Sequence, residues 1–422
     1  MAESICLYFQ VHQPFRLRRY TVFEIGKSLD YFDEQKNKEI MQRIAQNCYL
    51  PMNQMLLKHI ISSQGKLKVT FSITGSALEQ FKMYAPEVIE SFKELAETNC
   101  VDFLAETYYH SLSALYSQDE FLEQVQLHNH AIKDLFGITP KVFRNTELIY
   151  TNTIARYAEI MGFKGILTEG ASHILGERTP NDVYLAEGTR GMKLLLKNYE
   201  LSDDIAFRFS DVSWHGWPLK PKAFVEKIKD QKGSIVNLFM DYETFGEHQT
   251  LDTGIHQFME SLLDELIGSV SLLTVSEAAD LPKKHVQDSI VDVPFPISWA
   301  DEARDLSAWL GNKMQNSAIR LLYGMEQNIK ALSDENLLSL WRKMQSSDHF
   351  YYMCTKYFND GDVHKYFNPY ETPYEAYIAY MNIINDLQVR IQNKDGRDYV
   401  DVQPKDSQEQ PGHALDKQSM MI

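Results

Sequence analysis

Apolar runs recur along the first 280 positions, and the stretches between them carry apolar residues at helical spacing. ICLYFQV (5–11) predicts a buried strand that runs into His12-Gln13-Pro14. Pro14 holds Gln13 extended and ends the strand there. KLKVTFSITG (66–75, closed by Gly75), VDFLAET (101–107), KVFRNTELIY (141–150), GFKGILTEG (162–170), LLLKNY (194–199) and SIVNLFMDYETFG (234–246) predict six more strands. SVSLLTVSEAAD (269–280) adds an eighth short strand candidate and a helix start. Residues 35–63, with Ile40, Ile44, Met52, Leu56, Leu57 and Ile60 apolar, predict helix, as do 86–99, 118–135 and 254–267.

Strands alternating with helices argue for parallel pairing and an α/β domain. In parallel barrels the site lies at the C-terminal strand ends. Polar clusters fall there: His12 after the first strand, Glu106 and His110 after the third, Glu147 at the fourth, Asp241 and Glu243 at the seventh. Beyond about residue 300 the spacing turns helical (307–345 and 371–393), and 394–422 is polar, which predicts a disordered tail. The expected division is therefore a barrel over 1–300, a helical module over 301–393 and the tail over 394–422. No fixed-period repeat is visible.

Composition narrows the possible partners. The 422 residues are 44% hydrophobic and 24% charged, ordinary for a globular protein, and no apolar run nears the roughly 18 residues of a membrane-spanning helix. A net charge of −16 argues against a nucleic-acid partner without disfavouring a neutral substrate. Cys6, Cys48, Cys100 and Cys354 lie far apart with no CxxC, and no secretory signal is visible, so a reducing cytoplasm is expected. Aromatic residues reach 12%, most of them expected in the core.

Glu147 stands beside Arg144, whose charge lowers a neighbouring carboxylate's pKa, as a nucleophile requires; a structural ion pair at a barrel rim is the alternative. Asp241 lies in FMDYETFGEH with Glu243, Glu247 and His248. Crowded carboxylates raise one another's pKa, which suits a general acid, although acids also favour a helix N-terminus; Phe245-Gly246 interrupts the helix. Two carboxyls on different strands of one barrel are what glycosidic cleavage needs, about 5–5.5 Å apart for retention and about 6.5–9.5 Å for inversion. His12 and His110 suit sugar-hydroxyl contacts or a metal, but no HxxxH or HxD follows a strand, and His128 and His130 fall on different faces of a predicted helix. The aromatic loop Trp214–Pro218 is a candidate stacking wall, and the patch from Ser298 to Asn312, with Trp299, Asp301 and Trp309, is either a second wall or a packing hinge. Phosphate-loop, dinucleotide and serine-elbow motifs are absent.

Taken in order, HQPFR, FSITG, ETYYHSL, FRNTELIY, MDYETFGEH, LLTVSEAAD and SWADEARDLSAWLGN resemble glycoside hydrolase family 57, its α-amylase branch in particular, over roughly residues 5–312. The resemblance implies a distorted (β/α)7 barrel followed by an α-helical bundle domain that completes the cleft. It also implies a retaining mechanism on α-glucans or maltooligosaccharides with no organic cofactor, and the missing metal-ligand spacing argues against a metal. It maps the nucleophile onto Glu147 and the general acid/base onto Asp241. Substrate contacts are implied at His12, Gln13, His110, Arg144, Trp214, Glu243, His248, Trp299, Asp301 and Trp309. A seven-stranded barrel leaves one strand candidate over, among 162–170, 194–199 and 271–275. Three rivals stay open: a 4-α-glucanotransferase or branching enzyme, a silent glucan-binding relative, and a metal-dependent deacetylase on a related barrel.

Overall fold

The computed structural model describes residues 3–281, 289–356 and 368–395. Most of the predicted tail, 396–422, lies outside the described residues. Seven parallel strands form the barrel: β1 (Ser4–Val11), β2 (Val69–Ile73), β3 (Val101–Phe103), β4 (Val142–Arg144), β5 (Gly165–Glu169), β6 (Lys193–Lys197) and β7 (Ile235–Asp241).

β1 is central. It pairs with β7 from Ser4↔Ile235 to Gln10↔Asp241, and with β2 from Tyr8↔Thr70 to Val11↔Ile73. Burial on both faces explains its largely apolar run. Two joins around the ring are irregular. β3 meets β4 through one bridge, Ala105↔Phe143. β6 meets β7 through Asn237, whose side-chain nitrogen donates to the Leu196 carbonyl at 3.0 Å while its own carbonyl accepts from Asn198 N–H at 2.9 Å.

The surplus strand is Ser271–Leu272. It pairs only with Ser4 and Ile5 of β1, wedged where β1 and β2 have not yet begun to pair. Both 162–170 and 194–199 contain true barrel strands. A short strand that the sequence pattern does not show, Tyr184–Ala186, runs antiparallel to β6 and pairs with Ile290–Val291.

The predicted helices form around the ring. Ser117 caps Gln118–Phe136, and Gly137 ends it at φ 70°. Thr74 caps Gly75–Tyr84; a Cβ on Gly75 would lie 2.3 Å from the Tyr108 ring, so only glycine fits. From Ser307 onward the described elements are all helices, including Lys313–Gly324, Glu335–Lys343, Ser347–Tyr351 and Pro373–Asp395. Trp341, Ile383 and Leu387 of this region share one continuous core with Phe121, Phe143 and Ile154 of the barrel side. Trp341 is fully buried, and its indole N–H donates to the Leu322 carbonyl at 2.8 Å. All four cysteines are free thiols. No helix among the described residues is long and apolar enough to cross a membrane.

Candidate active site

The turns that leave the strands aim the polar side chains inward. After β4, Thr146–Leu148 makes a single 3-10 turn in which Glu147 and Leu148 both hold positive φ, 58° and 51°. Side-chain-bearing residues in this region cost about 1–3 kcal/mol each, so the surroundings must hold them. Leu148 is locked in the barrel interior, and Asn145 Nδ2 donates to the Ile149 carbonyl at 2.9 Å. The turn presents the Glu147 carboxylate to three donors. Ser347 Oγ reaches Oε1 at 2.8 Å, His110 Nε2 reaches Oε1 at 3.1 Å, and Trp299 Nε1 reaches Oε2 at 2.8 Å. Burial pushes its pKa up, but the hydrogen bond and charge of His110, with Arg144, outweigh it and hold the group below the usual range.

His110, also at positive φ (53°), sits between two carboxylates: Nδ1 lies 3.6 Å from Glu106 and Nε2 3.1 Å from Glu147. Burial opposes its charge, yet the two carboxylates lift its pKa to about 9, so it is an imidazolium at neutral pH. Glu106 is fully buried; burial raises its pKa, but His110 and Arg144 win and bring it to about 2. His128, from the helix, supports this carboxylate's backbone: its Nδ1 accepts from Glu106 N–H at 3.3 Å, and its Nε2 lies 2.9 Å from the Ile73 carbonyl. The His12 ring stacks on His110 at 3.9 Å and bridges Thr74 Oγ1 (2.9 Å) and Asp348 Oδ2 (2.8 Å). Burial and the His110 charge lower the His12 pKa.

Opposite electrostatics act on the end of β7. Burial first, and the Glu147 charge second, raise Asp241 to about 6. Glu243, in the following turn, accepts from His12 N–H (3.2 Å), Gln13 Nε2 (3.4 Å) and the Tyr49 hydroxyl. Burial and Asp241 push it up to about 8, so it is neutral at pH 7. Gly246 breaks the helix reading for a physical reason: at φ 124° a Cβ would lie 2.1 Å from the Asn47 carbonyl oxygen.

His12, His110, Glu147, Asp241 and Glu243 line one cleft, joined by His248, Trp299, Asp301 and Trp309. The other expected contacts fall elsewhere. Arg144 is buried behind the wall: it pairs with Glu106 at 3.7 Å, not with Glu147, and its guanidinium lies over the Trp299 ring at 5.2 Å. Gln13 is buried, linking Glu243 to Arg16, which donates to its Oε1 at 2.8 Å. Trp214 is not a cleft wall; it packs on the core, with Arg208 (5.6 Å) and Lys227 (5.2 Å) against its ring.

Lys197, Asp203, Phe207, Asp348 and Tyr351 line the cleft without having been singled out in the sequence, and Arg304 joins them from the Ser298–Asn312 patch. Lys197 carried a signal, a lone charge closing the apolar run LLLK. It lies 3.3 Å from Asp203 and 5.3 Å from the Trp299 ring. Arg304 donates to the Trp299 carbonyl and lies 3.8 Å from Glu169, so it anchors the loop that carries Trp299. Ser347 and Asp348 come from a helical stretch and carried no signal of this kind. Among the described residues, no group of three or more His, Cys, Asp or Glu is placed to hold a metal ion.

The chain is similar to several known proteins. A protein of Methanocaldococcus jannaschii named "Putative alpha-amylase" is 40% identical over 399 residues, 92% of this chain and 84% of its own. A branching enzyme of Thermococcus kodakaraensis has a similar solved structure, with a TM-score of 0.64, 13% identity and 94% of each chain covered. A 4-alpha-glucanotransferase of Thermococcus litoralis superimposes with a TM-score of 0.59 and 13% identity over 83% of this chain, which spans 56% of that enzyme's length. These two likenesses concern the fold alone. The sequence profile of glycosyl hydrolase family 57 matches residues 6–294, more than half of the chain, and with a 40% identical relative beside it the chain belongs to glycosyl hydrolase family 57.

Proposed function

We propose that the chain cleaves α-1,4-glucosidic bonds in starch- or glycogen-type glucans or maltooligosaccharides with retention of configuration. The observation that carries this reading is the split between two carboxyls in one cleft: Glu147 held below the usual range, Asp241 raised to about 6. Groups whose surroundings push their pKa values apart divide into nucleophile and acid. The name of the Methanocaldococcus jannaschii relative supports the substrate class.

In this mechanism Glu147 attacks the anomeric carbon while protonated Asp241 gives its proton to the leaving glycosidic oxygen. Asp241, now ionised, then takes a proton from water, which hydrolyses the glucosyl-enzyme ester. His110 and Trp299 hold the nucleophile in place, and the charges around it favour an oxocarbenium-like transition state. A glucan 4-hydroxyl in place of water gives α-1,4 transfer, and a glucan 6-hydroxyl gives a branch. This second reading is favoured by the fold likeness to a branching enzyme and a glucanotransferase. Products from maltoheptaose separate the two: net new reducing ends for hydrolysis, a disproportionation ladder for transfer. The four free thiols suit a cytoplasmic site of action. The test of the site is Glu147→Ala, expected to abolish turnover with the fold intact. Near-normal activity on maltooligosaccharides in that variant would sink the assignment.

A further inference from the structure

The nucleophile turn and Ser347 are 200 residues apart in the chain, yet the backbone stitches them together. Ser346 forms an antiparallel bridge with Ser111, and Ser347 N–H donates to the His110 carbonyl at 2.9 Å. The start of the helix Ser347–Tyr351 is thereby tied to the turn that carries His110. Ser347 is fully buried, and its hydroxyl lies 2.8 Å from Glu147 Oε1. An ionised carboxylate only accepts, so the hydroxyl donates. With His110 on the same oxygen and Trp299 on the other, three of the roughly four lone-pair directions of the carboxylate are occupied. The orientation of the remaining one is then fixed by the protein.

We propose that Ser347 is a positioning residue for Glu147: the helical region supplies one of the three donors that fix the plane of the nucleophile. The inference rests on Glu147 being the nucleophile. Asp348, the next residue, does the parallel service for His12 at 2.8 Å, so one short segment secures both sides of the stacked histidine pair. The charged groups facing Glu147 are His110 from the turn after β3, Arg144 from β4, Asp241 from β7 and Asp348 from the helical segment. None of them is altered by removing the Ser347 hydroxyl, so a change in the titration of Glu147 would report the lost donor.

The experiment uses the full chain with Ser347→Ala and Ser347→Cys, the second keeping a weaker donor in nearly the same volume. Steady-state kinetics on maltoheptaose are read across pH 3–8, with circular dichroism as the fold control. Loss of one charge-assisted hydrogen bond to the attacking carboxylate is expected to lower kcat about 10- to 100-fold in Ser347→Ala. KM should stay within about two-fold, and the acidic limb of kcat/KM should move to higher pH, because a carboxylate that loses a donor is more easily protonated. Ser347→Cys should fall between. Wild-type kcat with an unmoved acidic limb in Ser347→Ala overturns the proposal. So does a fall in kcat with the limb unmoved, which is what loosened packing alone produces. If Ser347→Ala does not fold, the same two outcomes in Ser347→Cys decide. An active Glu147→Ala enzyme would instead overturn the underlying reading, so the two failures are distinguishable.

Discussion

Glu243→Gln is expected to make the protein relatively more stable as the pH rises. In the folded chain Glu243 is buried beside Asp241, and both effects, burial first, carry its pKa from an ordinary 4.5 to about 8. Once unfolded, the same carboxyl ionises near 4.5. Between those values the folded state binds more protons than the unfolded state, so this group's contribution to stability falls as pH rises and levels off above about 8. The full span corresponds to roughly 4–5 kcal/mol, and relaxation around the charge reduces what is realised to about 2–4 kcal/mol. Glutamine has no proton to lose, and its side-chain oxygen can still accept from His12 N–H, Gln13 Nε2 and the Tyr49 hydroxyl. The assay is reversible urea unfolding of wild type and variant at pH 5.0 and pH 8.5. The variant-minus-wild-type free energy should grow by about 2–4 kcal/mol between the two, and groups common to both proteins cancel. A difference that is flat with pH would refute the reasoning.

Three further outcomes follow from the site and its supports. Because turnover needs ionised Glu147 and protonated Asp241, kcat/KM should fall above about pH 6; a profile flat from pH 5 to 8 contradicts the assignment of Asp241. Trp299→Phe removes the donor 2.8 Å from Glu147 Oε2 and should lower kcat about 10- to 100-fold while moving the acidic limb upward; unchanged kinetics would show that the indole N–H does not hold the nucleophile. Arg342→Ala strips fully buried Glu120 of its contacts at 2.9 and 3.1 Å, leaving Lys330 at 2.9 Å as the remaining cation. A loss of about 2–4 kcal/mol is expected, read by urea unfolding, and an unchanged midpoint would mean that Lys330, with the Gln124 amide donating at 2.9 Å, satisfies the charge without Arg342.

How much of this was legible in the sequence depended on how local the cause was. Doubly buried strands such as β1 and β7 show as largely apolar runs, because burial on both faces leaves few polar positions. Ser271–Leu272 misled because two residues in a register-limited gap look like a strand without joining the ring. Closure of the barrel by the Asn237 side chain has no pattern at all, since a lone polar residue in an apolar run has many explanations. At the site, carboxyls and histidines at strand ends were readable because topology sends those ends to one mouth. Which partner each would take was not: Arg144 turned to Glu106, and Trp214 to two cations and the core. Ser347 and Asp348 were invisible for the complementary reason, being short polar side chains at a helix start whose targets lie two hundred or more residues away. The ordered set of motifs across residues 5–312 placed the chain in its family, while the donors around Glu147 required the fold.

The most direct test of the central claim is to trap the glucosyl-enzyme. The intact protein would be incubated with a 5-fluoro-glucosyl fluoride, digested and analysed by peptide mass spectrometry. The account expects one fluoroglucosyl adduct, on Glu147, formed in step with loss of activity. An adduct on another carboxyl, or time-dependent inactivation with Glu147 unmodified, would contradict it.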